Sequence, residues 1–208
     1  MSLTAHNLNS LLGELNDALL LEGAAPVTWV VCGGTALALQ GLSARTTEDV
    51  DVLGSWNDAR DGSGVEIIAI GTFAPEVLRA IARVALAHPE LAGLRSRWVN
   101  LGAQEIVKHG LPAGALSRLV PMRIGERLTL QLLGRVDLIA LKLYAASDDL
   151  GRRQQIHLDD VRVLDSTAAE LDDAIQWVLR MPDPQHRLRP SLKSILEELG
   201  HEDLSYYI

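Results

Sequence analysis

The sequence predicts an α+β or α/β fold: a mixed β-sheet flanked by helices, followed by a helical C-terminal annex. Three observations predict it. Short β-branched, apolar runs alternate with amphipathic helical stretches through the first two thirds of the chain. Beyond Gly134 the period becomes helical throughout. The apolar content is aliphatic, with one Phe and three Tyr among 208 residues, which suits helices layered on a sheet. A chain of this length fits one generous domain or an α/β core with an annex, since domains run roughly 100–200 residues. The organisation reads as an α/β core over residues 1–134 and a helical subdomain over residues 135–208.

Each element has its own signal. Over residues 8–21, Leu11, Leu12, Leu15, Ala18 and Leu19 recur at three- and four-residue steps, the period of an amphipathic helix. After the punctuation of Ala25-Pro26, residues 27–32 are β-branched and apolar, as in a strand buried on both faces. Gly33-Gly34 ends that run, and the Ala- and Leu-rich residues 35–40 form a helix stopped by Gly41. Residues 49–53 alternate Asp-Val-Asp-Val, so a strand there puts Asp49 and Asp51 on one face and Val50 and Val52 on the other. Residues 54–64, rich in Asp, Asn, Ser and Gly, read as a surface loop. A short strand over 66–70 and a helix over 75–87 follow.

Residues 98–101, 120–124 and 127–132 read as strands, the last two joined at Gly125-Glu126 as an antiparallel hairpin. Residues 137–146, 159–164, 167–179 and 191–199 read as helices, with Asp137 and Thr167 placed as caps or first-turn acids. Residues 197–208 read as a terminal helix and its docking tail.

Bulk properties narrow the function. A formal charge of −8 argues against wrapping long nucleic acid, which needs clustered Lys and Arg, and is compatible with a small nucleotide held through a metal. The single cysteine, Cys32, lies in an apolar run and cannot form an internal disulfide, which fits a reducing compartment. The N-terminal stretch lacks the basic start and unbroken apolar core of a signal peptide, and no run approaches the ~18 apolar residues of a membrane span. A cytoplasmic protein without a membrane partner is expected.

The chemistry concentrates in two stretches. In the first, Cys32-Gly33-Gly34-Thr35 is followed after a helix by Glu48-Asp49-Val50-Asp51-Val52, with thirteen residues between Thr35 and Asp49. Two carboxylates two apart on a strand project side by side and offer hard oxygen ligands to Mg²⁺ or Mn²⁺ that also engages phosphates. Gly33 and Gly34 allow close backbone approach, and the helix that follows presents N–H donors. Alone, an Asp-x-Asp is common on a solvated strand face and a Gly-Gly is usually a turn; the ordered combination is far more specific. In the second stretch, Lys142 is flanked by leucines on an apolar helix. Its ammonium must either snorkel to water or meet a partner.

Together these residues resemble the nucleotidyltransferase fold of the polymerase-beta superfamily. More narrowly, Gly33-Gly34-Thr35-Ala36-Leu37 with residues 45–52, from Arg45 to Val52, resembles the bacterial AbiEii-like, toxin-associated nucleotidyltransferases. Thr35 stands where the family usually has Ser and keeps the hydroxyl. The resemblance implies that Asp49 and Asp51 are metal ligands and catalytic, and that Gly33, Gly34, Thr35 and Arg45 bind the nucleotide. It maps Lys142 onto the family lysine, with Arg152 or Arg153 nearby in sequence, and Asp160, rather than Asp159, onto the family aspartate. The activity implied is transfer of a nucleoside monophosphate from a nucleoside triphosphate to a hydroxyl of RNA or protein, in a toxin with a cognate antitoxin.

Superfamily catalysts usually add a third carboxylate from a later strand. The strand expected to supply it, residues 127–132, carries Thr129 and Gln131 instead, leaving Glu66, Glu126 and Asp137 as substitutes. Two readings therefore stand: a metal-dependent transferase, and a module of the same fold that binds a nucleotide or a partner without turnover. Other chemistries are poorly supported. His88, His109, His157, His186 and His201 lack metal-ligand spacing, Gly-x-Ser-x-Gly and Walker loops are absent, and the third glycine of a Rossmann fingerprint is missing.

Overall fold

The computed structural model describes residues 3–59, 64–88, 91, 97–149, 151–205 and 208. The chain forms two compact units, one of residues 1–110 with 114–133 and the other of residues 111–113 with 134–208.

The first unit is built on a mixed sheet. Its strands are β1 (Val27–Cys32), β2 (Val50–Ala59), β3 (Gly64–Ile68), β4 (Val99–Asn100), β5 (Val120–Arg123) and β6 (Leu128–Leu132). Their order is β3-β2-β1-β6-β5, with β4 pairing β2. The pairs β1–β2, β2–β3 and β5–β6 are antiparallel, whereas β1–β6 and β2–β4 are parallel. The α+β fold class read from the sequence is therefore observed, as is the β5–β6 hairpin. Strand β1 is central, and its Trp29, Val30, Val31 and Cys32 are all buried, which is why that run carries no polar alternation.

Helices α1 (Ala5–Leu21), α2 (Gly33–Leu39) and α3 (Pro75–Ala87) belong to this unit, as does the short α4 (Glu105–His109). Helix α1 is capped by the Thr4 side chain, which accepts from the Asn7 N–H, and buries Leu8, Leu11, Leu12, Leu15, Ala18 and Leu19 as one stripe. Helix α3 starts at Pro75, a residue suited to a first helical turn, and lies against α1. Trp98, fully buried just before β4, donates its indole N–H to the Ile81 carbonyl of α3 at 3.0 Å. That bond anchors the start of β4.

The expected loop over residues 54–64 is corrected by the structure at residues 54–59 and at Gly64, and residues 60–63 lie outside the described residues. Strand β2 runs on through Gly54, Ser55, Trp56, Asn57 and Asp58 to Ala59 and pairs antiparallel with β3. Pairing, with β1 as far as Ser55 and with β3 from Ser55 to Ala59, overrides the loop-like composition. Gly54 marks a close approach of two backbones, since a Cβ there would stand 2.6 Å from the Ile68 carbonyl oxygen. Between Val30 and Val31 the β1–β2 register shifts by one, a bulge on the strand pair that carries Asp51.

The second unit is helical: α5 (Arg135–Asp148), α6 (Arg152–Val163), α7 (Ala168–Val178), α8 (Leu188–Glu198) and α9 (Glu202–Ser205). Helix α5 contacts α6, α7 and α8 and is buried on most of its surface, including Asp137 and Lys142. Thr167 and Glu170 form a capping box at the start of α7. Arg135 pairs with the same Glu170 and donates to the Leu164 carbonyl, closing the end of α6. Among the described residues, no helix is long and apolar enough to cross a membrane.

Candidate functional site

The acidic site is assembled from three neighbouring segments of the first unit. Asp51 lies on β2 opposite Cys32 of β1, and Asp49 immediately precedes β2. Both are half-buried, while Val50 and Val52 on the opposite face are fully buried. The alternation that placed the two carboxylates on one face therefore has its physical basis in the core beneath Val50 and Val52.

Two hydroxyls hold the main chain at Asp49. Thr35 Oγ1 donates to the Asp49 carbonyl at 2.6 Å and Thr47 Oγ1 at 3.2 Å, and both threonines are buried. The Thr35 hydroxyl expected to face a phosphate is thus engaged with the strand. Gly33 has φ +69°, and a Cβ on it would collide with Asp51 Oδ2. A Cβ on Gly34 would stand 2.7 Å from Thr47 Oγ1 and 3.4 Å from Arg45 Nη2. Both glycines are needed so that the start of α2 can lie against the acidic strand. Arg45 is held beside it, donating through Nη1 to the Thr46 carbonyl at 3.0 Å.

The third segment is β4, read as a strand from the sequence but not as part of the site. Asn100 of β4 pairs in register with Asp51, and its Nδ2 donates to Asp49 Oδ2 at 2.9 Å and to Asp51 Oδ1 at 3.2 Å. The Gly102 N–H donates to Asn100 Oδ1 at 2.8 Å, which fixes the amide with its NH₂ toward the carboxylates. The signal available beforehand was an Asn within an otherwise apolar strand candidate, where it is disfavoured.

The strand expected to supply a third acid is not next to the pair. Strand β6 lies on the far side of β1 from β2, with Leu132 opposite Val31. Of the substitutes in this unit, Glu66 is exposed on β3 beside Asn57, and Glu126 is exposed in the β5–β6 turn. Among the described residues no group of three His, Cys, Asp or Glu converges to hold a metal ion. What the site offers is two hard carboxylates brought within reach of one nitrogen, beside a glycine whose missing Cβ makes room for Asp51 Oδ2. That donor set fits a hard divalent cation of the Mg²⁺ or Mn²⁺ class.

In the helical unit, Lys142 Nζ and Asp160 Oδ2 are 2.8 Å apart, with side chains 7% and 1% exposed. The lysine flanked by leucines therefore has a partner on α6 and does not snorkel. His157 lies nearby on α6, its Nε2 3.2 Å from Asp149 Oδ2. Burial, then the Lys142 ammonium, push the His157 imidazole below its ordinary value, against the opposing pull of Asp149 and Asp160.

A family model described as the nucleotidyl transferase AbiEii toxin of type IV toxin–antitoxin systems matches residues 18–198. No curated protein and no solved structure matches the chain.

Proposed function

This chain belongs to the AbiEii nucleotidyl transferase toxin family, and from that premise we propose that it transfers a nucleoside monophosphate from a nucleoside triphosphate to a hydroxyl of RNA or protein. The observation that carries the proposal is the convergence of the Asp49 and Asp51 carboxylates at the Asn100 amide, beside the glycines at the start of α2.

In this reading Asp49 and Asp51 hold Mg²⁺ or Mn²⁺, which when bound supplies positive charge to the triphosphate. Gly33, Gly34 and Thr35 admit the phosphates to the backbone N–H groups, and the Arg45 guanidinium adds charge on the same side. Thr35 and Thr47 keep the strand in place through the Asp49 carbonyl, so that the carboxylates are pre-aimed and need no reorganisation during the reaction. Lys142 and Asp160, which the family resemblance assigns to catalysis, meet as a buried ion pair within the helical unit. The protein acts in the cytoplasm, and a cognate antitoxin is its expected partner.

A second reading has its own observation. The side chain next to the carboxylate pair is the neutral amide of Asn100, which favours a module that binds nucleotide or partner without turnover. Incubation with each α-labelled nucleoside triphosphate, Mg²⁺, total tRNA and total protein separates the two. The transferase reading expects label on one acceptor pool, lost in Asp49→Asn and Asp51→Asn. Tight nucleotide binding by calorimetry with no transfer to either pool would establish the module.

A further inference from the structure

We infer that Asn100 is the third side chain of the acidic site, a positioning residue that keeps Asp49 and Asp51 converging while holding the charge of the site at two carboxylates. The inference rests on the metal-site reading above and gives Asn100, so far only the point where the two carboxylates meet, a role of its own.

Three features of the geometry carry it. Strand β4 has only two residues, yet its parallel pairing with β2 sets Asn100 directly opposite Asp51. The amide is oriented from behind by the Gly102 N–H, so its NH₂ has one direction available. Its two hydrogens then reach two different carboxylates, at 2.9 and 3.2 Å. Side-by-side carboxylates repel one another in the absence of a cation. One amide donating to both offsets that repulsion and holds the oxygens turned toward a common point.

The same geometry shows what an acid would do there. Asp and Asn are nearly isosteric, so Asn100→Asp replaces Nδ2 with an oxygen in the same place. Three carboxylate oxygens would then face each other, the ligand chemistry that favours a hard divalent cation. Without the cation the same three charges repel.

The test is calorimetric titration of Mn²⁺ into the full-length wild type, Asn100→Asp and Asn100→Ala, with thermal melts of each in chelator and in saturating Mn²⁺. Asn100→Asp is expected to bind Mn²⁺ at least roughly tenfold more tightly, and to melt below wild type in chelator but recover with Mn²⁺. Asn100→Ala is expected to weaken Mn²⁺ binding several-fold while remaining folded. Wild-type binding with Asn100→Asp unchanged or weaker, or with Asn100→Ala tighter, overturns the inference and leaves the proposed function standing. Melting losses in Asn100→Asp that Mn²⁺ does not relieve would reduce Asn100 to strand packing and also overturn it. Absence of Mn²⁺ binding in all three proteins removes the metal site itself.

Discussion

Lys142→Met and Asp160→Leu, made singly and together, probe the buried ion pair of the helical unit. The pair is short, at 2.8 Å, and both side chains are almost entirely withdrawn from water. Exposed pairs contribute about 0–1 kcal/mol, whereas removing one partner of a buried pair costs about 3–5 kcal/mol because a charge is left in a poor dielectric. The two single variants should differ. Lys142→Met leaves a short carboxylate, 1% exposed, that cannot reach water. Asp160→Leu leaves an ammonium on a long stem that can move outward, so its cost should fall toward the lower end of the range. For a chain of this size, about 2–4 °C of melting temperature accompanies each kcal/mol, which places Lys142→Met roughly 6–20 °C below wild type. The double variant replaces the pair with apolar groups of similar volume and should lie near wild type or above it. Thermal melts and urea titrations followed by circular dichroism give all four corners of the cycle. Single variants each within about 1 kcal/mol of wild type, with the double variant equal to their sum, would show that Lys142 and Asp160 are not coupled as a buried pair. If the pair serves chemistry, the stable double variant should transfer no label.

Three further outcomes follow from the same geometry. Gly33→Ala should lose Mn²⁺ binding by calorimetry and cost about 1–2 kcal/mol of stability for its left-handed backbone, because the new methyl collides with Asp51 Oδ2; wild-type affinity would show that the close approach is not needed. Thr35→Val should cost about 1 kcal/mol, the low end for a lost buried hydrogen bond, because Thr47 still donates to the Asp49 carbonyl; a melt will show a fall of a few degrees. For His157, whose imidazole is held below its ordinary value, the unfolded chain takes up a proton near pH 6.5 before the folded one does. Its contribution is therefore present above about pH 6.5 and lost as pH falls through the lower folded value. Urea midpoints at pH 7.5 and 5 should drop more in wild type than in His157→Gln; equal drops would contradict this.

How much was legible in the sequence depended on how local the determining interactions are. Strand β1, helix α3 and the β5–β6 hairpin follow from runs whose own periodicity or turn residues specify them, and the structure places them within a residue or two. The far half of β2 was hidden, because Ser55, Asn57 and Asp58 have loop composition and become strand only through pairing with β1 and β3. Helix α6 was read only from residue 159, since residues 152–157 are polar apart from Ile156 and gain helical order by lying against α5. At the candidate site, the Asp49–Asp51 alternation and the glycines were visible as local patterns. Asn100 was not, because its significance lies in hydrogen bonds to residues about fifty positions earlier. Strand β6, expected to supply a third acid, likewise lies across β1 from the carboxylate pair, for sheet order is a global property that no single run encodes.

The most direct test of the carboxylate pair as a metal centre is a crystal grown with Mn²⁺ and a non-hydrolysable nucleoside triphosphate, analysed by anomalous scattering. A Mn²⁺ peak with oxygens of both Asp49 and Asp51 as ligands is expected, with the triphosphate beside Gly33 and Gly34. A crystal with triphosphate bound and Mn²⁺ elsewhere, or with the two carboxylates turned away from it, would rule out Asp49 and Asp51 as the metal centre.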